Sequence, residues 1–370
     1  MQADFHYYAT YCAAYLAGYS HEECMDICYS AQLVDLCSRS FLSGIKADGK
    51  AATTMLSLEM MDARTDPVGL QDITRIWSSF HFLPCDLHAP KKKRTKVYMN
   101  KYRLICGPNG DLAVKTVKLA KDKPLQAVGI AMHVIADTWA HRYFAGTPSL
   151  VINNTNDDFF EVLDGEEGLI RQKIRFRHNP SAADDPEKHV YTNSMYQANE
   201  NSVMNLGHGR AGHLPDYSFI RYGYLPAWNE YRIVLKDNPS EYYEAFMQLV
   251  TAMRYLYGVT GDFEAGRYDE DVVTPHKDRI MNILTVRQLI ASKDWKAFGE
   301  ELSGKAIDDF DKNRYQEEYL NAASDEKNDT FLGKFISAAI AHKGMVSDEI
   351  FRSGNLLAGF VSGVLKNDKI

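Results

Sequence analysis

The segment His133-Val-Ile-Ala-Asp137-Thr-Trp-Ala-His141 constrains this chain more than any other. On a helix, positions i, i+4 and i+8 span an arc of only about 80°, so both imidazoles and the carboxylate leave one face. The rest of that helix is apolar: Val128, Ile130, Ala131, Val134, Ile135, Ala136, Trp139 and Ala140. A carboxylate flanked by two imidazoles is costly to bury there without compensation, and metal coordination supplies it. His133 and His141 lie about 12 Å apart along the axis, too far for one ion with bonds of about 2 Å to bind both. The spacing therefore predicts separate ions, with Asp137 central and able to bridge them. The plainer alternative is a set of core histidines satisfied by hydrogen bonds around a buried Asp137.

The chain around this helix is long enough to bury it. It has 370 residues, 45% of them hydrophobic and 12% aromatic, as one large domain or two ordinary ones require. A net charge of -7 gives no general drive toward nucleic acid or anionic membranes. No apolar run approaches the roughly 20 residues that span a bilayer. The N-terminus lacks a basic region followed by an apolar one, so it reads as mature protein without a signal peptide. The six cysteines (Cys12, Cys24, Cys28, Cys37, Cys85 and Cys106) all lie in the first third and read as buried free thiols, which places the protein in the cytoplasm.

Coarse patterning predicts an all-α chain, a multi-helical metal-binding core over 1–260 with further helices over 261–370 packed on it or continuous with it. Helices are expected from Asp4 to Ala17, from Ser20 with Glu23 as capping partner, from Pro124, and from Asn238-Pro239 to Gly258. Residues 44–123 read as mixed, and 153–205 as long loops with one short helix near Glu166 to Phe176. Another helical stretch is expected after Leu214, and three or four more helices after Thr274.

Familiar signatures fail. Gly44-IKAD-Gly49-Lys50 resembles a phosphate-binding loop, but Ala51 stands where Ser or Thr is required, and Met25 stands where His21-Glu22 would need a second histidine. There is no His-Asp dipeptide, no Glu-x-x-His and no Gly-x-Ser-x-Gly. The basic run from Lys91 to Lys96 reads as a solvated loop or as a guide for anionic substrates. More informative is Gly207-His208-GRA-Gly212-His213-LP-Asp216, where a tight loop can bring ligands close, although a polar loop with a helix cap at Asp216 fits as well. Asp4-Phe5-His6, Asp35 in an apolar stretch, and His81 between Phe80 and Phe82 are weaker singly.

Taken in order, these pieces resemble the zinc-dependent phospholipases C and the fungal single-strand-specific nucleases, which are helical trinuclear zinc phosphodiesterases. The segments DFHYYATYCAAYLAG, HVIADTWAHR and GHGRAGHLPD look more closely like an uncharacterised bacterial family related to them, over about residues 1–230. The resemblance implies one ion on Asp35, His81, His133 and Asp137. A second would sit on His6 and Asp137, and a third on His141, His213 and Asp216, with His208 competing or behind. In that superfamily a processed N-terminal amine also binds metal. Here Met1 starts the chain, so its amine is not expected to serve, and Asp4 can substitute. His141 follows Asp137 by four residues rather than six, and Asp216 follows His213 by three rather than four.

The implied function is a metal-dependent hydrolase of phosphate esters, with two or three zinc ions or other divalent transition metals. Asp137 would be central, and Asp4 or Asp35 could act as general base if not itself a ligand. The substrate would be a small-molecule or lipid phosphate ester; nucleic acid stays open, though charge does not point to it. The rival is a non-catalytic, metal-stabilised helical binding or scaffold protein.

Overall fold

A computed structural model of the chain describes residues 1–47, 50–56, 67–87, 104–166, 168–177, 183–193 and 206–355. The basic run at 91–96 lies outside them. A π-helical turn, Asp4–Ala9, leads into α1 (Thr10–Ala17), which stops at Gly18 with φ 107°. Helix α2 (His21–Leu33) begins on a complete capping box: the Ser20 hydroxyl accepts from the Glu23 amide, and the Glu23 carboxylate accepts from the Ser20 amide. Next come α3 (Pro67–Phe80), α4 (Asp111–Leu119) and α5 (Leu125–Ala140), the last opening after Pro124. Helix α6 (Asn238–Tyr257) starts with Pro239 in its first turn and ends at Gly258. Helices α7 (Lys277–Thr285), α8 (Ser292–Ser303) and α9 (Phe331–Arg352) complete the set of eight residues or more among the described residues.

The chain is mixed α/β, which corrects the all-α expectation. Strands β1 (Phe160–Gly165), β2 (Gly168–Lys173), β5 (Arg221–Tyr224) and β6 (Val234–Asp237) form an antiparallel sheet in the order β2-β1-β5-β6. Strands β3 (Arg175–Arg177) and β4 (Val190–Thr192) pair in parallel. The expected helix near Glu166 to Phe176 is thus β2 and β3. The helix expected after Leu214 is a single 3-10 turn, Leu214–Asp216, followed by β5. These strands escaped the sequence reading because they are short and weakly patterned. All of β2 is exposed, so no buried face marks its register.

Helix α5 is the hub. It is buried along nearly its whole length, with α2, α6 and α9 packed around it. A helix apolar on all sides can sit only in such an interior. One buried hydrophobic cluster runs from Met1 to Ile350, and a second lies under the sheet around Phe159, Tyr191, Tyr222 and Tyr224. No helix among the described residues is long and apolar enough to cross a membrane.

Helices α2 and α5 approach closely at Gly129, where a Cβ would stand 2.4 Å from the Ile27 carbonyl oxygen and 2.5 Å from Ser30 Cβ. Gly129→Leu forces the two helices apart, and should lower unfolding free energy by about 1–3 kcal/mol, read by urea denaturation. Unchanged stability would mean that this contact does not set the helix spacing.

Candidate metal centre

Distant segments supply the polar groups that meet on the inner face of α5. The π-helical turn places His6 there, fully buried. Asp35 follows the end of α2, and His81 follows the end of α3. His133 and Asp137 project from α5, and His141 is its C-cap. His208 opens a short helical turn, His208–Ala211, and Asp216 ends the 3-10 turn Leu214–Asp216, both in the loop at 206–220 before β5. That loop is fixed by Gly212, where φ is +59° and a Cβ would stand 2.0 Å from the Thr192 carbonyl oxygen.

Asp137 is 1% exposed, and its two oxygens face different partners. Oδ1 lies 3.2 Å from His6 Nε2 and accepts a 2.7 Å hydrogen bond from the Met1 amine. Oδ2 lies 3.2 Å from His81 Nδ1 and 3.3 Å from His133 Nε2. Burial opposes its charge, but His141, the Met1 ammonium, His133 and His6 hold its pKa well below the usual carboxylate range.

Backbone carbonyls fix the tautomers. His133 Nδ1 is 2.9 Å from the Ala31 oxygen, His81 Nε2 is 3.1 Å from the Thr54 oxygen, and His141 Nδ1 is 2.6 Å from the His81 oxygen. A carbonyl only accepts, so each of these nitrogens carries the proton. In the neutral rings His81 Nδ1 and His133 Nε2 are then lone pairs, and they face each other at 3.3 Å with Asp137 Oδ2 beside both. Three acceptors so close repel one another unless a cation or added protons lie among them. The edge of a tetrahedron with bonds of about 2.0 Å is about 3.3 Å, so the spacing suits a metal ion. Asp35 Oδ1, 3.8 Å from both imidazole nitrogens, offers a fourth corner. Imidazole N–H donation to a backbone oxygen is the usual support for a metal-binding histidine.

His6 points the same way. Its Nδ1 is buried without a hydrogen-bond partner, its Nε2 has Asp137 Oδ1 at 3.2 Å, and its ring stacks on His133 at 3.8 Å. Burial and His133 push its pKa down to about 4, which leaves it neutral. Among the described residues, three groups of side chains could hold a metal ion: His6, His133 and Asp137; Asp35, His81 and His133; and His141, His208 and Asp216. In the third, His141 Nε2 is 3.4 Å from Asp216 Oδ1 and His208 Nε2 is 3.6 Å from Asp216 Oδ2. His213 Nδ1 is 3.5 Å from the same carboxylate, but its side chain is 61% exposed and it lies outside the group.

Besides that of His213, two further expectations change. The Met1 amine, not expected to take part, lies between Asp137 and Asp216, 2.7 and 3.2 Å away. Burial opposes its charge, yet Asp137, Asp216 and Asp35 raise its pKa to about 11. Asp4, expected as a substitute ligand or a base, instead accepts backbone hydrogen bonds from Phe5 at 2.8 Å and Ala291 at 2.9 Å. It anchors the π-helical turn to the start of α8 and belongs to none of the three groups.

The sequence reading also missed supporting residues. Phe82 stacks on His141 at 4.7 Å, which gives the Phe-His-Phe run a positional meaning. Lys236 donates to the Trp139 carbonyl at 2.7 Å and pairs with Glu241, tying down the end of α5. No motif marks Lys236, because a single lysine in a short strand carries no periodic signal.

Zinc at a hundred times its Kd should stabilise the fold by about 2.7 kcal/mol, and EDTA should reverse this, read as a shift in melting temperature. Zinc affinity should fall on acidification, because the carboxylates of Asp137 and Asp35 outweigh burial and raise the His81 pKa, so a proton competes there. A melting temperature indifferent to zinc and EDTA would leave the clustered histidines without a metal role.

No curated protein and no solved structure matches the chain. One family model matches residues 1–350, so the chain belongs to a family of unknown function, DUF6765.

Proposed function

We propose that the chain is a hydrolase of phosphate esters built on a multinuclear divalent-metal centre, with zinc the favoured ion. One observation carries this reading: with their other nitrogens held by backbone carbonyls, His81 Nδ1 and His133 Nε2 converge on each other and on Asp137 Oδ2 across 3.3 Å or less. Asp35, His81, His133 and Asp137 would hold one ion, and His6 with Asp137 a second. His141, His208 and Asp216 would hold a third, with His208 in the place first assigned to His213. The mixed imidazole and carboxylate set suits zinc. The order of these residues along the chain supports a relation to the zinc-dependent phospholipases C and single-strand-specific nucleases.

Bound ions would supply Lewis-acid stabilisation of phosphoryl charge and make a water reactive at neutral pH. The chain's own groups divide the remaining work. Asp137 sets the separation of the ligand groups. Asp35, with a side chain 26% exposed, is the carboxylate best placed to meet solvent, and it would accept a proton from an attacking water only where it is not itself a ligand. His208 and Asp216, 25% and 10% exposed, would mark the side from which a phosphate ester enters. The substrate would be a small-molecule or lipid phosphate ester, since the chain's charge does not point to nucleic acid.

A second reading rests on ligand count: Asp35, His81, His133 and Asp137 are four protein groups around one point, enough to close a tetrahedral site and leave a structural, non-catalytic metal centre. Elemental analysis with a phosphodiester and phosphomonoester screen separates the two. The hydrolase reading expects zinc together with turnover, and Asp137→Asn should lose both. His208→Ala should lower kcat/KM about ten- to a hundredfold, and His213→Ala far less. Metal without any turnover would favour the structural centre, and full activity in Asp137→Asn would end the proposed mechanism.

A further inference from the structure

A cavity of about 370 Å³ lies between α4, the first half of α5 and α9, bounded by apolar residues such as Leu119, Ala127, Ile130 and Ala338. None of the residues that line it belongs to the three histidine and carboxylate groups, so the cavity is no part of that centre.

Two observations separate it from a plain packing gap. His342 lines it and is 3% exposed; its Nε2 lies 3.1 Å from Thr116 Oγ1, while its Nδ1 is buried without a partner. Burial, with a smaller effect from His133, pushes its pKa down to about 3, so the ring is neutral. A buried imidazole nitrogen left unbonded is unfavourable and invites an external partner. The second observation is charge. Lys123 is exposed and Lys334 half-buried among the lining residues, against the single carboxylate of Asp329. The N-terminus of the 22-residue helix α9 lies at the same rim and adds positive potential.

We propose that this cavity binds a small amphipathic anion, its acid group between Lys123 and Lys334, its apolar body between α5 and α9, and a hydrogen-bonding group at its inner end on His342. Lys334 and His342 are eight residues apart on one helix, about 12 Å along the axis, a distance that a chain of about ten carbons covers. A medium-chain hydroxy acid has this chemistry, and 10-hydroxydecanoate is the probe.

Calorimetric titration of the full chain should show saturable binding in the order 10-hydroxydecanoate, decanoate, decanol. Ala338→Trp fills the cavity and should abolish binding. Lys123→Glu combined with Lys334→Glu should weaken the acids about tenfold, as reversal of two rim charges allows. His342→Phe should erase the difference between 10-hydroxydecanoate and decanoate. Should Ala338→Trp fail to fold, amine labelling of the unsubstituted protein decides: the probe should shield Lys123 and Lys334 but leave Lys327 open. Absence of saturable binding, full affinity in a folded Ala338→Trp, decanol binding as tightly as the acids, or no shielding would each overturn the proposal.

Discussion

Asp137 is sealed in an apolar helix, yet each of its oxygens faces positive or metal-seeking neighbours from elsewhere in the chain. An unpaired carboxylate could not remain charged at that depth. The His6 turn, the end of α2, the end of α3 and the loop before β5 must therefore all arrive at the same point. The fold around α5 is largely the scaffolding that brings them there. Helices α2 and α6 cover the flanks of α5, and Lys236 secures its C-terminal end, where His141 leaves the helix.

The polar interior is also balanced unevenly. Asp35, Asp137 and Asp216 bring three carboxylates, and the Met1 ammonium brings one positive charge. The three rings fixed by carbonyls turn their remaining nitrogens inward, toward these carboxylates. The excess is negative and concentrated, which favours divalent cations over further hydrogen bonding.

Much of this site was legible in the sequence, because its central part is local. A His-x-x-x-Asp-x-x-x-His run on an apolar helix fixes direction and face by helix geometry alone. His208 and Asp216 could be grouped because a glycine-rich loop keeps them close. Choosing between His208 and His213 was beyond the sequence, since that depends on which ring turns inward over Phe82 and His141. Asp4 misled for a similar reason: its neighbour His6 points at the cluster, while its own oxygens cap backbone amides. The strands failed differently. Segments such as Gly168–Lys173 bury no face, so they carry no alternation to read, and pairing with β1 is what makes them strands.

The oxygens that orient His133, His81 and His141 belong to the main chain at Ala31, Thr54 and His81. Any amino acid at 31 or 54 offers the same atom, provided the backbone path is kept. Orientation of the rings is thus insulated from sequence drift at those two positions, and divergent relatives can preserve it without preserving the letters. What they must retain is the route of the chain, so insertions near these carbonyls should be rarer than substitutions at them.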